Sequence, residues 1–355
     1  MKKAMKHSRW IVSFFVIVLA AALLFGSIAF LFDPFMQFRI RDNTYMLSGW
    51  FVAPGLIRNY DYDTLILGSS MTQNFNMDTF REALGVNPLR IGLGGIRSVE
   101  IAELANLAYQ SGKANTIYIS ADLSQFTNNT KASRNFKYLM DDDLLSRCRY
   151  LFSYEVWFRY IPTDLAVMTL DFAGVKLPQK FAHKRSIDHL EDWYLDMEFG
   201  EEVVIHNYKT GQFRVTDVET DDLYARMISN MNEFLDSFQY DSAQHVFFFP
   251  PYSSLCWTYA QDNDYFEEYL IAKEYFIAQA TARGAIVYDF QSADFTMDLN
   301  NYKDTTHYSP EINDWIVSCF ASGEYRVTNE NAAALQEKLA ENTNAFRAAR
   351  KDLFP

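Results

Sequence analysis

The feature that most restricts how this chain of 355 residues can fold is an uncharged, apolar run at residues 10–32. Its 23 residues form a helix of roughly 34 Å at about 1.5 Å per residue, which is long enough to cross the hydrocarbon core of a membrane. Basic residues stand before the run, namely Lys2, Lys3, Lys6 and Arg9. Positive charge beside a span stays cytoplasmic. We therefore predict a single-pass protein of the cell membrane, in which residues 1–32 are a cytoplasmic start and a lipid-embedded anchor and the C-terminal domain is extracytoplasmic.

A cleaved signal peptide is the alternative interpretation of the same run. Ala20, Ala21 and Ala22 are small enough to suggest processing, but the apolar run continues for ten residues beyond them. The apolar region of a signal peptide typically spans about 7–15 residues, so we favour an uncleaved anchor. Both interpretations export the domain that follows.

The chain after its basic start is strongly acidic. The whole sequence has 32 Lys and Arg against 45 Asp and Glu, a net charge of −13. Setting aside the four basic residues among the first nine leaves −17 for the remainder. Such a domain repels nucleic acid and anionic lipid, so we exclude nucleic acid as a partner.

Three cysteines, Cys148, Cys256 and Cys319, lie far apart in the sequence. Their spacing is unlike that of a zinc site or a disulfide-dense module. One pair could form a disulfide and leave one thiol over, or all three could be buried and free. We favour the second arrangement, which suits a bacterial envelope protein that does not depend on disulfides.

Short apolar segments alternate with amphipathic segments after residue 60. The predicted strands are residues 64–67, 89–92, 116–120, 245–249 and 285–290. The predicted helices are residues 77–84, 98–111 and 224–238, a helix between an Asp264–Glu267 capping box and Gly284, a helix that begins at Ser309-Pro310, and residues 331–351. This alternation predicts an α/β fold, a three-layer sandwich in which helices cover both faces of a central parallel sheet.

Domain boundaries follow from the same pattern. Residues 33–60 are predicted to be a connector, rich in aromatic residues, that packs on the domain formed by residues 61–355. A large insertion is predicted at about residues 123–220, because α/β connections usually have about 2–6 residues. Its densest part, residues 150–160, has six aromatic residues in eleven positions. Aromatic rings stack on sugars, but a buried lid core uses the same residues, and we favour the core.

Two distant segments carry the residues of a serine nucleophile. Gly68-Ser69-Ser70 ends the first predicted strand, and Asp304 and His307 follow the last one. A serine hydroxyl needs a base within hydrogen-bond reach and a third group that orients the base. Ligands of an open parallel sheet bind beyond the carboxyl ends of its strands. We therefore predict Ser70 as nucleophile, His307 as base and Asp304 as the group that orients His307.

Plainer interpretations of these segments stay open. Gly-Ser-Ser is also an ordinary polar turn between a strand and a helix, and a short motif is weak without its context. Asp304 and His307 could form a surface hydrogen bond or supply two metal ligands. No third ligand accompanies them at a suitable spacing, so we predict neither a metal nor a cofactor.

Further residues beside these segments are predicted to contact substrate: Ser69, Thr72, Asn74, Tyr252 and Ser253. Thr72 and Asn74 follow the predicted nucleophile, although a solvated first helical turn explains them equally well. Tyr252 and Ser253 follow the fourth predicted strand at the same edge of the sheet. A plain strand end is the simpler explanation of that pair.

Four short blocks of the chain resemble those of SGNH (GDSL-type) hydrolases. They are Gly68-Ser69-Ser70-Met71, the glycine-rich residues 92–95, Ser120-Ala121-Asp122, and residues 304–307. Their order and their places after strands match the family, and the resemblance covers roughly residues 61–322. It implies a sheet with the flavodoxin-like strand order. Residues 54–75 look like those of membrane-anchored bacterial SGNH-like proteins.

The resemblance assigns roles residue by residue. It implies that Ser70 is the nucleophile, His307 the base and Asp304 the orienting carboxylate, and that the amides of Ser70 and Gly94, or alternatively Gly95, bind the oxyanion. The family's third oxyanion donor is an asparagine, and this chain has Asp122 at that position. An ionised carboxylate accepts hydrogen bonds and cannot donate one to an oxyanion. The loss of one such donor typically costs about 2.7–4 kcal/mol of transition-state stabilisation.

The resemblance implies an esterase or acyltransferase that acts on O-acyl groups of cell-envelope polysaccharide or another acylated glycan. Membrane-anchored relatives include D-alanyl transfer proteins of teichoic acid modification and alginate O-acetylation proteins. A membrane-bound O-acyltransferase is therefore an expected partner by analogy. The alternative is an inactive scaffold that binds envelope glycan or a membrane partner with the same fold, and Asp122 argues for it.

Overall fold

Five parallel strands form the sheet in this computed structural model, which describes residues 2–42, 44–127, 136–141, 143–211 and 221–354. The strands are β1 (Thr64–Gly68), β2 (Pro88–Gly92), β3 (Thr116–Ser120), β4 (Gln244–Phe249) and β5 (Ile286–Asp289). Each begins and ends within one residue of its predicted bounds. The strand order is β2-β1-β3-β4-β5, which is the order of flavodoxin-like sheets. The α/β class and the parallel sheet are confirmed.

The described residues also form fourteen α-helices. In chain order they are α1 (Lys2–Phe32), α2 (Gly49–Asn59), α3 (Met77–Leu84), α4 (Ser98–Ser111), α5 (Leu123–Thr127), α6 (Leu144–Leu151), α7 (Ile161–Phe172), α8 (Gln179–His183), α9 (Glu201–Lys209), α10 (Leu223–Asp236), α11 (Ser254–Asp262), α12 (Phe266–Ala282), α13 (Pro310–Ser322) and α14 (Ala332–Ala349). A π-helical turn, Val156–Tyr160, directly precedes α7.

The chain divides into two compact units. The first, here called the helical unit, consists of Met1–Tyr60 and Asn135–Arg185. The second, the sheet unit, consists of Asp61–Arg134 and Ser186–Pro355. The predicted insertion at 123–220 is thus shared between both units. Its residues 128–135, 142 and 212–220 lie outside the described part of the chain.

The sheet unit forms because its strands are mostly apolar and mostly buried. Every residue of β1 and β2 is buried, as expected for parallel strands that are covered on both sides. Gly85 and Gly112 end α3 and α4 in the left-handed conformation, with φ of 69° and 65°. Glycine adopts this conformation without a steric penalty, so the predicted helix ends are confirmed at both positions.

The helical unit begins with the apolar helix α1. Within the described residues, Arg9–Phe32 is the helix long and apolar enough to cross a membrane. Its last carbonyls are capped by guanidinium groups, since Arg39 donates to Phe30 O (2.9 Å) and Leu31 O (2.7 Å) and Arg41 donates to Phe32 O. These bonds satisfy acceptors that a helix end leaves open and place positive charge at the negative end of the helix dipole.

A buried carboxylate fixes the chain where α1 ends. Asp33 accepts hydrogen bonds from the backbone N–H groups of Gln37, Phe38 and Arg39 at 3.0–3.1 Å and from the Tyr150 hydroxyl at 2.8 Å. Burial raises the pKa of Asp33, and these hydrogen bonds act against the rise. Residues of the aromatic segment 150–160 pack around this turn, where Tyr150, Val156 and Tyr160 are buried. The expected buried core is therefore present for two of the six aromatic residues, Tyr150 and Tyr160, whereas Phe152, Tyr154 and Phe158 are exposed.

Three sequence-level expectations need correction. A helix, α11, follows Pro250-Pro251, where only a strand end was expected. The capping box at Asp264 is wrong, because Asp264 has a φ of 57° and α12 begins after Tyr265. All three cysteines are free, but Cys148 is exposed and only the other two are buried.

Candidate active site

The nucleophile candidate stands at the carboxyl end of β1. Ser70 begins a single 3-10 turn that Ser69 caps by accepting a hydrogen bond from Met71 N (3.2 Å). Gly68 has to be a glycine, because a Cβ there would lie 2.3 Å from Ser120 Oγ and 2.5 Å from Thr72 Cγ2. The tight packing of this glycine lets the chain turn sharply at the sheet edge and leaves Ser70 half-buried at the surface.

His307 lies within hydrogen-bond distance of this serine, although 237 residues separate the two in sequence. Ser70 Oγ is 2.8 Å from His307 Nε2. On the other side of the ring, His307 Nδ1 is 2.8 Å from Asp304 Oδ2 and 3.0 Å from Oδ1. The three side chains thus form a continuous chain of hydrogen bonds with the geometry of a serine, a general base and an orienting carboxylate.

Asp304 is held firmly in its orienting position. Its Oδ1 accepts from the backbone N–H groups of Thr306 (2.9 Å) and His307 (2.8 Å). Burial raises the pKa of Asp304, but the hydrogen bonds and charge of His307 and the Lys303 ammonium at 3.3 Å outweigh burial and hold that pKa below its ordinary value. Asp304 is therefore ionised at neutral pH. A metal cation here would meet the Lys303 ammonium, which argues against metal ligation by Asp304.

Two backbone donors near the nucleophile are open. Within the described residues, no hydrogen-bond acceptor is assigned to the N–H of Ser70 or of Gly94. Gly94 is exposed in the turn after β2. The half-buried Ser70 N–H, at the start of a helical turn, therefore suits the binding of a developing oxyanion. The Gly94 N–H follows the neighbouring strand β2, which pairs with β1 through Gly68 and Gly92.

Asp122 has its own set of contacts behind this turn. Its Oδ2 accepts from Ser120 Oγ (2.9 Å) and Gln125 Nε2 (3.0 Å), and its Oδ1 accepts from the Tyr252 hydroxyl (3.2 Å). Ser120 Oγ in turn accepts from Ser69 N (3.3 Å). Burial raises the pKa of Asp122. The carboxyl group therefore supports the Ser69 turn from below, and its predicted oxyanion role stays a prediction.

Most of the predicted substrate contacts are buried. Thr72 is fully buried and donates to Ser69 O (2.9 Å), and Ser253 is fully buried and donates to Thr305 O (2.7 Å). Tyr252 is 4% exposed and bonded to Asp122. These three side chains are inaccessible to a substrate, so the predicted contacts through them are corrected. Ser69 is also buried and serves as a cap.

Trp193 is a site residue that the sequence analysis missed. Its Nε1 donates to Ser70 O (3.0 Å), and its ring packs edge-on against His307 with centroids 5.4 Å apart. The Lys303 ammonium lies 5.0 Å from the centroid of the same ring. Trp193 thus contacts both the nucleophile and the base. A lone tryptophan in an irregular segment has no periodic pattern that would reveal it. Its neighbour Asp192, however, pairs with a residue that is conspicuous in the sequence.

That residue is Arg90, a charged residue inside a buried strand. Its guanidinium donates to Asp192 Oδ1 (2.6 Å), Phe75 O (2.6 Å) and Leu190 O (2.8 Å), and both members of the ion pair are buried. A buried arginine is rare unless it is paired. Arg90 in β2 therefore indicates a fixed partner segment, and that segment positions Trp193.

A cavity of about 710 Å³ opens next to Trp193. Its lining includes Asn74, Tyr194, Phe199 and Asn300. Phe199 stacks on Trp193 at 6.0 Å, and Asn74 Oδ1 accepts from Trp193 N (3.2 Å). Asn74 Nδ2 is buried and, within the described residues, has no hydrogen-bond partner. The polar and aromatic side chains that line the cavity, including the exposed Asn300, suit a ligand rich in hydroxyl groups.

The chain was also compared with known proteins. No protein-family model matches it, and no curated protein matches it. The resemblance to SGNH hydrolases therefore stays a prediction from the four blocks, and the geometry around Ser70 is what supports a function.

Proposed function

We propose that this protein is a membrane-anchored, extracytoplasmic serine esterase or acyltransferase of SGNH-like architecture, with helices layered on both faces of the sheet. The observation that supports the proposal best is the hydrogen-bonded chain of Ser70, His307 and Asp304, with distances of 2.8 Å at both links. A polar turn without a function has no need of an imidazole from the far end of the sequence. An oriented histidine at hydrogen-bond distance is what a serine requires to react.

The reaction that this geometry supports has two halves. Ser70 Oγ attacks the carbonyl carbon of an O-acyl group while His307 Nε2 accepts the serine proton, and the Ser70 and Gly94 amides bind the oxyanion. His307 then gives the proton to the leaving alcohol, which leaves an acyl group on Ser70. Water or an acceptor hydroxyl attacks this ester, His307 accepts its proton, and the proton returns to Ser70. Asp304 stays ionised and stabilises the imidazolium throughout.

The cavity beside Trp193 gives the proposed substrate its class. Its volume of about 710 Å³ is in the range of small-molecule sites. Asn300 offers a polar group to a hydroxyl of the bound group, and Tyr194 and Phe199 offer ring faces to a sugar. An exported enzyme with such a site would act on O-acyl groups of envelope polysaccharide, with a membrane-bound O-acyltransferase as the partner that supplies or accepts the acyl group.

A non-catalytic glycan-binding scaffold is the second candidate function, and Asp122 is the observation that favours it. A carboxylate stands where the resembling family has a donor to the oxyanion. Glycan binding that survives Ser70→Ala, together with no turnover across a panel of acyl esters, would support the scaffold over the enzyme.

Labelling by a fluorophosphonate probe tests the catalytic proposal. The full-length protein in detergent should be labelled at Ser70, because the probe reacts with a serine that an adjacent base activates. Ser70→Ala should abolish labelling, and His307→Ala should slow it by roughly 10²-fold or more, the usual contribution of a general base. Mass spectrometry of the labelled peptide identifies the modified residue.

His206→Ala is the matched control, since His206 is an exposed histidine of the same unit on α9. It should be labelled at the wild-type rate. No labelling of the folded wild-type protein, or equal labelling of His307→Ala and His206→Ala, would contradict the catalytic proposal.

A further inference from the structure

Large apolar side chains of the helical unit face outward next to α1. Phe172 at the end of α7 is 95% exposed, and Phe158 in the preceding turn is 70% exposed. Leu165 and Met168 of α7 are also exposed. Leu165, Met168 and Phe172 follow one another at intervals of three and four residues, so they form one stripe along the helix. We call Phe152, Tyr154, Phe158, Leu165, Met168 and Phe172 the apolar face.

This pattern differs from that of a surface helix in a water-soluble domain. The outward stripe of such a helix is polar, whereas the buried positions of α7 include Asp164. Asp164 accepts from Tyr45 N (3.1 Å) and pairs with Arg41 (3.4 Å). Contiguous exposed apolar patches mark a surface that contacts another apolar phase.

Contacts with α1 give the depth of this face. The ring of Trp157 packs edge-on against Phe25 with centroids 4.9 Å apart, and a Cβ at Gly26 would lie 3.4 Å from the Phe152 ring. Phe25 and Gly26 stand six to seven residues before the end of the helix at Phe32. At 1.5 Å per residue this is about 9–10 Å along the axis. Phe152 and Trp157 therefore lie at the level of the apolar span.

The charged groups of the same segment are compatible with a membrane surface. Each carboxylate between residues 152 and 181 is paired with an arginine: Glu155 with Arg159 (2.8 Å), Asp164 with Arg41 (3.4 Å) and Asp171 with Arg185 (2.8 Å). Lys176 and Lys180 are exposed close to Phe172. Lysines beside exposed aromatic and aliphatic side chains are typical of interfacial segments.

The distribution of charge between the two units is also compatible with a helical unit at the membrane surface. The helical unit has 15 Lys and Arg against 8 Asp and Glu, a net charge of +7, and the sheet unit has 17 against 37, a net charge of −20. Without Lys2, Lys3, Lys6 and Arg9 of the basic start, the helical unit has 11 against 8, a net charge of +3. The acidity of the whole chain therefore belongs to the sheet unit. The expectation that everything after the basic start repels anionic lipid is revised for the helical unit.

We propose that the apolar face is a second membrane attachment, which inserts into the outer leaflet of the bilayer beside α1. The occupant of this face is lipid, because its residue Phe152 contacts a helix of spanning length at the level of the apolar residues of that helix, and the exposed side chains of α7 extend the same apolar surface. This inference rests on α1 crossing the membrane and is independent of the proposed chemistry at Ser70. Its consequence is a catalytic protein that is held at the membrane by two elements.

Fluorescence quenching in lipid nanodiscs tests the proposal on the full-length chain. An environment-sensitive fluorophore is attached to Phe172→Cys or Met168→Cys in a Cys148→Ser background, where the other two cysteines are buried. The nanodiscs contain phosphatidylcholine, phosphatidylglycerol and a lipid with a spin label on its acyl chain. We expect a roughly twofold loss of fluorescence from either label, because an interfacial helix inserts about 5–10 Å. Iodide in the water should quench neither label.

Ile271→Cys is the matched control, since Ile271 is an exposed apolar residue of α12 in the sheet unit. Its label should be quenched by iodide and not by the spin-labelled lipid. A label at Leu19→Cys reports whether α1 crosses the bilayer. Circular dichroism confirms that each variant is folded.

Three results would overturn the proposal. The first is a Phe172→Cys label that behaves like the Ile271→Cys label. The second is a Leu19→Cys label that the lipid does not quench, since α1 would then not cross the bilayer. The third is a Phe172→Cys label that iodide reaches in nanodiscs but not in native membranes, which would assign the face to a protein partner.

Discussion

Asp122 is the residue at which the proposed chemistry and the stability of the fold meet. It is buried among donors from Ser120, Gln125 and Tyr252. Because the folded state holds the proton of Asp122 more tightly than the unfolded chain, its contribution to stability is greatest below the ordinary pKa of 3.8 and is lost as pH rises through the raised folded-state value. At neutral pH the buried carboxyl group is therefore a cost.

Asp122→Asn should remove that cost. The amide oxygen can still accept from Ser120 and Gln125, and the amide nitrogen can donate to the Tyr252 hydroxyl, which is both donor and acceptor. We expect the variant to be more stable than the wild type at pH 7, by about 1.4 kcal/mol for each unit by which burial raises the pKa. Urea unfolding of both proteins between pH 4 and pH 8 measures the difference.

The difference should shrink as the pH falls towards 4, because Asp122 is then protonated in the folded state and increasingly protonated in the unfolded chain. Asp122→Leu is the control, because it leaves three donors unsatisfied and should destabilise the protein by about 1–3 kcal/mol for each. A pH-independent difference between wild type and Asp122→Asn would contradict the assignment. In the catalytic proposal, Asp122→Asn should also label faster with the fluorophosphonate, since the amide supplies a donor.

Single residues could be predicted from the sequence only where a chemical role requires a particular residue type. Ser70, His307 and Asp304 could be found because a nucleophile, a base and an orienting group each follow a strand. Thr72 and Ser253 could not be judged, because burial depends on neighbours from distant parts of the chain. Trp193 could not be found for the same reason, since its partners are a backbone carbonyl and a ring more than a hundred residues away.

Secondary structure elements were predicted best where packing is periodic and uniform. Parallel strands read as short apolar runs between turn residues, and all five strand bounds are within one residue. α11 was missed because Pro250-Pro251 reads as a stop, whereas Ser253 starts a new helix by accepting from Cys256 N (3.3 Å). The division at residues 135–185 was missed because it depends on contacts with residues 1–60, which no local pattern reveals.

β2 and the segment around Trp193 are coupled by the buried Arg90–Asp192 pair. Arg90→Met should destabilise the protein by about 3–5 kcal/mol, because it removes the buried cation paired with Asp192 and leaves that buried carboxylate with the His189 ring at 2.9 Å. It should also slow fluorophosphonate labelling of Ser70, since Asp192 precedes Trp193 directly. Urea unfolding and the labelling rate are measured on the same preparation.

Arg283→Met is the control for this coupling. Arg283 forms an ion pair with Asp236 at an equally short 2.6 Å, but the Asp236 side chain is 63% exposed. Exposed ion pairs typically contribute about 0–1 kcal/mol to stability. Within the part of the chain that the structure describes, neither Arg283 nor Asp236 forms a hydrogen bond with Ser70, His307 or Trp193. Equal effects of Arg90→Met and Arg283→Met would show that Arg90 does not position the segment.

The whole molecule combines a positive helical unit with a sheet unit of net charge −20. The net charge of the sheet unit has two physical consequences. The sheet unit gains solubility and repels polyanions, but its like charges repel one another and oppose compaction. Salt screens this repulsion, since the Debye length falls to about 10 Å at 0.1 M. The unfolding temperature of the protein should therefore rise with ionic strength.

Raising NaCl from about 10 mM to about 150 mM at pH 7 should increase the unfolding temperature of the sheet unit, by about 2–4 °C for each kcal/mol of repulsion that is screened. The same salt step at pH 5 is the control, because the whole chain is then close to its sequence pI of about 4.9 and the sheet unit has lost much of its net negative charge. Scanning calorimetry of the detergent-solubilised protein measures both. An unchanged or lower unfolding temperature at pH 7, or an equal gain at both pH values, would show that net repulsion does not limit the stability of this unit.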